Sequence, residues 1–124
     1  MAYPYELALQ PAARFLGGES FESFSERVLD AWNALLQRPW SQALLVAHDA
    51  VNRVLLSHVA GGTPLSCLQA FEQDPACINI IDLDVHDGQL RRALLRTVNY
   101  TAYDSIKERS RLTVMEQVYL RFQR

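Results

Sequence analysis

Apolar and polar positions change period several times along this chain, and each change marks an element. Phe21, Phe24, Val28, Trp32, Leu35 and Leu36 recur at the spacing of one helix face. Ser20 is placed to cap that helix, and Pro39 stops it soon after Gln37. Ala43 to Ala47 is then apolar at every position, which predicts a short buried strand at 43–47. Helical spacing returns at Val51, Val54 and Leu55, predicting a helix over 50–60. Asp49 is its expected N-cap, and Gly61-Gly62 its stop.

Pro64 suits the first turn of a short helix at 64–71. A second strand is expected at 77–85, largely apolar, with Asn79 and Asp82 among its polar positions. Asp87-Gly88 is a hairpin signal that returns the chain into a strand at 90–98. Leu112, Met115, Val118, Tyr119 and Phe122 repeat at helical spacing in the tail. Tyr5 to Phe15 is weakly helical and interrupted by Pro11, so a short helix and a loop are expected there. Helices on each side of the strands predict an α/β class: a partial three-layer α/β sandwich, mostly parallel, with the hairpin as an antiparallel edge.

Within this pattern His48 stands out, because one imidazole arrives where the apolar run stops and a helix begins. The carboxyl ends of strands in open α/β sheets form the crevice where ligands bind, and helix starts favour anions. His48 therefore reads in two ways, as a phosphate ligand or as a polar cap over the sheet. Composition narrows the classes around it. With 49% hydrophobic and 21% charged residues the chain is ordinary globular material, and its 124 residues suffice for one core. A net charge of −2 supplies no field for nucleic acid or an anionic membrane. No apolar run reaches the ~18 residues of a membrane span, and no signal peptide opens the sequence, so the expected setting is cytoplasmic.

Three segments resemble a known family. Gly17-Gly18-Glu19-Ser20-Phe21 opens the long helix; Leu44-Leu45-Val46-Ala47-His48-Asp49-Ala50-Val51-Asn52-Arg53 carries the histidine; Glu72-Gln73 precedes Cys77-Ile78-Asn79-Ile80-Ile81-Asp82. Together with the return strand ending Arg96-Thr97-Val98-Asn99-Tyr100, they look like the second half of the histidine phosphatase superfamily, in its phosphoglycerate mutase-like branch. The resemblance implies a phosphomonoester substrate and a phosphohistidine formed on an N-terminal Arg-His-Gly motif. It also implies a second phosphate-binding arginine and an acidic proton donor.

The histidines present are His48, His58 and His86, and none follows an arginine. Of the family's core catalytic set only the second histidine is matched, by His48. Residues 1–124 are thus expected to be the C-terminal part of a single such domain. One positioned acid or base contributes about 10²–10⁴ in rate, against accelerations up to ~10²¹ for phosphate-monoester hydrolysis. The chain alone is expected to be inactive. A non-catalytic anion-binding or interaction module and one half of a split phosphatase remain open alternatives.

The remaining candidates are assigned residue by residue. The resemblance implies phosphate contacts from His48 and the Asp49 backbone N–H, and it places Gln73 at a possible pocket position. A loop-satisfying amide is the other reading of Gln73. Asp49 stands where the family usually has glycine, and Ala47 where it often has serine. Arg53, one turn on with Asn52, is expected to brace its helix. His58 suits the helix C-terminus, and His86 the solvated hairpin turn. Cys67 and Cys77 show no CxxC spacing and read as free thiols, and with His48 and His58 they follow no zinc rule. No metal and no cofactor is expected. The partner implied is a phosphorylated small molecule. In the family the Arg-His-Gly strand lies beside the one carrying the second histidine, so strand 43–47 is expected to leave an apolar edge prone to self-association. The tail helix at 112–122 is the expected internal cover if that edge is closed.

Overall fold

The computed structural model describes residues 10–65, 67–108 and 112–123. Among the described residues the main elements are three helices and one hairpin: α1 (Phe21–Leu36), α2 (Asp49–Val59), β1 (Ile78–His86), β2 (Gln89–Tyr100) and α3 (Val114–Phe122). Of the short helix and loop expected over 5–15, positions 5–9 lie outside the described residues; positions 10–15 form no helix, and Arg14 bridges to Ser20.

Helix α1 forms where its pattern placed it. Ser20 accepts a hydrogen bond from the Ser23 N–H at 3.2 Å, and the side chains of Phe21, Ser25, Val28, Trp32 and Leu36 are buried along one face. Helix α2 buries Val54 and Leu55 against that face. It closes at Ala60, with Gly61 at φ 89°, a left-handed position that favours glycine. Leu68 completes the buried cluster from a 3₁₀ turn at Leu68–Ala70, the part of the short helix expected at 64–71 that forms among the described residues.

The hairpin covers the cluster with its inner face, through Leu83, Val85 and Leu90. Its turn residues Asp87 and Gly88 both have positive φ, 51° and 71°, as a type I′ turn requires. Gln37, the C-cap residue of α1, donates from Nε2 to the Gly88 carbonyl at 2.8 Å and ties helix end to turn. At the other end of the hairpin the register shifts around Asn79. Asn99, at φ 57°, gives its N–H to Asn79 Oδ1 at 2.9 Å instead of to the ladder.

The α/β class holds, with a two-stranded antiparallel sheet. The parallel sheet and the three layers do not form among the described residues. The reason lies at 43–47, which carries no strand pairing: Leu44, Leu45 and Val46 are 91%, 51% and 87% exposed. A strand exists only by hydrogen bonding to a neighbour, and among the described residues none lies alongside. Nor does α3 provide cover. Its Tyr119 ring sits 6.2 Å from Phe15, and its start is a capping box in which Thr113 Oγ1 accepts from the Glu116 N–H while Glu116 Oε2 accepts from the Thr113 N–H.

Candidate functional site

His48 occupies the N-cap position of α2, with φ −87° and ψ 162°, one residue before the position expected for Asp49. Its carbonyl accepts the first helical hydrogen bond, from the Asn52 N–H at 3.1 Å. Its imidazole makes no cap hydrogen bond, and the residue is exposed. The backbone N–H groups of Asp49, Ala50 and Val51 are the orphan donors of the first turn, and they have no partner among the described residues. An open imidazole therefore stands beside three unsatisfied N–H groups at the positive end of an 11-residue helix.

Asp49 does not cap its own helix. Its Oδ1 accepts from Arg53 Nε at 2.5 Å, the i,i+4 geometry of a helix surface pair. That contact turns the carboxylate away from the helix start and leaves the backbone donors uncovered. Burial raises the Asp49 carboxyl above the ordinary aspartate range; the Arg53 guanidinium opposes the rise, and the negative charge of Asp74 adds to it. Asp49 Oδ2 is buried with no hydrogen-bond partner among the described residues.

Arg53, 2% exposed, is the hub behind this helix start. Besides Asp49 it donates from Nη1 to the Leu68 carbonyl and from Nη2 to Glu72 Oε1, both at 2.9 Å. It braces α2 against the following loop. Glu72 Oε1 also accepts the Gln73 N–H at 2.8 Å, so Asp49, Arg53, Glu72 and Gln73 form one connected chain of contacts.

The Gln73 amide is fully engaged. Nε2 donates to the Glu72 carbonyl and to Asn79 Oδ1, while Oε1 accepts from Asn79 Nδ2 at 2.8 Å and from the Cys77 thiol at 3.3 Å. Burial, and then the charges of Asp74 and Asp49, push the Cys77 thiol up, away from thiolate character. Cys67 and Cys77 are not joined in a disulfide.

Sequence reasoning missed the second half of this junction. Asp74 is buried and accepts from Asn99 Nδ2 at 3.0 Å and Lys107 Nζ at 2.8 Å, while its N–H donates to Asn99 Oδ1 at 2.8 Å. Lys107 Nζ also donates to Thr101 Oγ1. The available signal was Asn79, an amide between Ile78 and Ile80, and Asn99, an amide between Val98 and Tyr100. Their side chains close the hairpin ends rather than face water.

Chemically, the helix start can hold an anion. No group of three His, Cys, Asp or Glu side chains suited to a metal ion occurs among the described residues. An apolar cleft of about 510 Å³ lies apart from His48, lined by Val28, Trp32, Leu35, Leu45, Val51 and Leu55 with Arg27 and Arg38.

Residues 3–95 match the family model of the histidine phosphatase superfamily (branch 1), a stretch that includes α1, α2, β1 and the first half of β2. No curated protein and no solved structure matches the chain.

Proposed function

The chain belongs to the histidine phosphatase superfamily, and on that premise we propose that its 124 residues supply the phosphate-binding helix start of a phosphomonoester-processing site without the nucleophile. The observation that carries this reading is the open imidazole of His48 beside the free first-turn N–H groups of α2. His48 and the Asp49 backbone N–H are the phosphate contacts. In a completed domain of the phosphoglycerate mutase-like kind, an N-terminal part would bring the Arg-His-Gly histidine, the second arginine and the acid. It would also give segment 43–47 its parallel neighbours and restore the three-layer sandwich. A phosphorylated small molecule in the cytoplasm is the substrate class of that completed protein.

Alone, the chain turns over no phosphomonoester. His48 and three N–H groups fall many orders of magnitude short of the acceleration required. A second reading, a non-catalytic anion-binding module, is favoured by the engagement of Arg53 and Gln73 in internal contacts, which leaves neither side chain free for substrate.

Titration with inorganic phosphate, followed by amide and imidazole NMR shifts, tests the site. Shifts are expected at His48, Asp49, Ala50 and Val51, and their loss in His48→Ala. Shifts absent at tens of millimolar phosphate would refute it. An aryl phosphate assay separates the roles: turnover well above buffer that vanishes in His48→Ala would show the chain to be a complete catalyst. In protein reconstituted with an N-terminal half, His48→Ala should lower kcat at least tenfold.

A further inference from the structure

Resting on the phosphate reading above, we infer that Arg53 is a positioning residue for the anion site. It acts through Asp49, drawing that carboxylate off the helix start so that the first-turn N–H groups of α2 stay open to phosphate.

A carboxylate on the first helical residue works against such a site. Asp49 directly follows the N-cap His48, and aspartate is among the side chains that best satisfy the donors of a helix start. The positive end of the helix attracts it as it attracts any anion. Left to local forces, Asp49 would fill the donors that a phosphate needs, and its charge would repel the phosphate as well.

Three observations place the carboxylate elsewhere. Asp49 Oδ1 accepts from Arg53 Nε at 2.5 Å, on the flank of the helix one turn along. Asp49 Oδ2 is buried and takes no hydrogen bond among the described residues, so it caps nothing. The charge of Asp74 acts on Asp49, and the charge of Asp49 acts on the Cys77 thiol. Asp49 is therefore turned toward the loop that carries Asp74 and Cys77, and away from the first turn.

Arg53 can impose this pose because it is itself held. It is buried, and its Nη1 and Nη2 are bound to the Leu68 carbonyl and Glu72 Oε1, both at 2.9 Å. Those two bonds fix the plane of the guanidinium and leave the Nε edge for Asp49. A lysine ammonium, a point charge on a flexible stem, could not serve three acceptors in that fixed fork. Arg53 thus does two things for a bound anion: it pins the competing carboxylate, and it offsets that carboxylate's charge.

Inorganic phosphate titrations of the 124-residue chain, read from the Ala50 and Val51 amide shifts, test the role. Arg53→Met should weaken phosphate binding roughly tenfold, as a unit charge uncovered ~6 Å from the anion does at a dielectric between water and protein. Removing the carboxylate as well, in Arg53→Met/Asp49→Ala, should bring the constant back to within about threefold of wild type, the signature of a coupled pair. A residue that only braced the helix would give no such rescue. Arg53→Lys should fall between wild type and Arg53→Met.

One measurement needs no substitution. The wild-type Arg53 Nε–H proton, bonded to a carboxylate, should resonate downfield of a solvated arginine and exchange slowly. It should keep that shift when phosphate saturates Ala50 and Val51. Should Arg53→Met fail to fold, this resonance and Arg53→Lys decide the matter. Wild-type chain that shows no phosphate shifts would overturn the phosphate reading and this inference with it. Wild-type binding that Arg53→Met leaves unchanged, or that the double variant does not recover, would overturn the inference alone. So would an Arg53 Nε–H signal that moves as phosphate binds, since Arg53 would then be a direct ligand.

Discussion

The two sides of α2 solve the same problem in opposite ways. Behind the helix, Arg53, Glu72, Gln73, Asp74, Asn79, Asn99 and Lys107 interlock, with side chains supplying hydrogen bonds where the backbone turns away from its ladder. In front of it, Ala43 to Ala47 carries apolar side chains and backbone groups with no such partners among the described residues. A buried polar group is costly unless partnered, so the rear junction is closed upon itself. The front presents what ligand binding or strand pairing needs, free donors and uncovered apolar surface. The region able to interact is the one whose local contacts are left incomplete.

The contrast can be broken most sharply at its hub. Arg53→Met would leave Asp49, Glu72 and the Leu68 carbonyl without their donor. Removing one member of a buried ion pair costs about 3–5 kcal/mol, and the partial exposure of Glu72 places this case near ~3. Urea denaturation should show that loss as a lowered midpoint. Asn99→Ala comes next. It deletes the exchange of hydrogen bonds with Asp74 and places a Cβ-branch-free but less tolerant residue at φ 57°, for a loss of roughly 2 kcal/mol. Asn99→Gly should retain the backbone part and lose only the hydrogen bonds.

Gly88→Ala attacks the far end of the hairpin. A methyl group there meets the Gln37 side chain and must adopt φ 71°, so a loss of about 1 kcal/mol is expected. Thermal melting with Gln37→Ala as background would separate the clash from the backbone strain.

Asp49 sharpens the comparison through pH. Its folded carboxyl binds a proton more tightly than the unfolded one, so the folded state is favoured below ~3.9 and loses that advantage as pH rises through the raised value. Asp49→Asn cannot lose a proton. Stability profiles of the two proteins should therefore diverge as pH rises from about 4, with the wild type falling relative to the variant. Parallel profiles would show that Arg53 fully compensates the burial. The smallest effect belongs to the front. Leu44→Ser should change the stability of the monomer by less than ~0.5 kcal/mol, because the side chain it replaces touches little but water.

Much of this molecule was legible along the chain. Phe21, Val28, Trp32 and Leu36 announce α1 by spacing, and Ser20 its start, because a helix is set by contacts within four residues. Asp87-Gly88 located the hairpin because few residues tolerate two successive positive φ angles. The same locality placed the head of α2 to within one position, with His48 rather than Asp49 as its N-cap. Asp49 bonds Arg53 one turn on, and that choice depends on what buries Arg53. Tertiary structure alone decided the rest. Whether Ala43 to Ala47 becomes a strand depends on a neighbour remote in sequence, and an apolar run carries no record of whether one is present. Asp74, Asn79, Asn99 and Lys107 meet across separations of up to 33 residues. Hydrogen bonds are satisfied by geometry rather than by sequence order, so only the folded backbone could show which polar residues close on one another and which stay open.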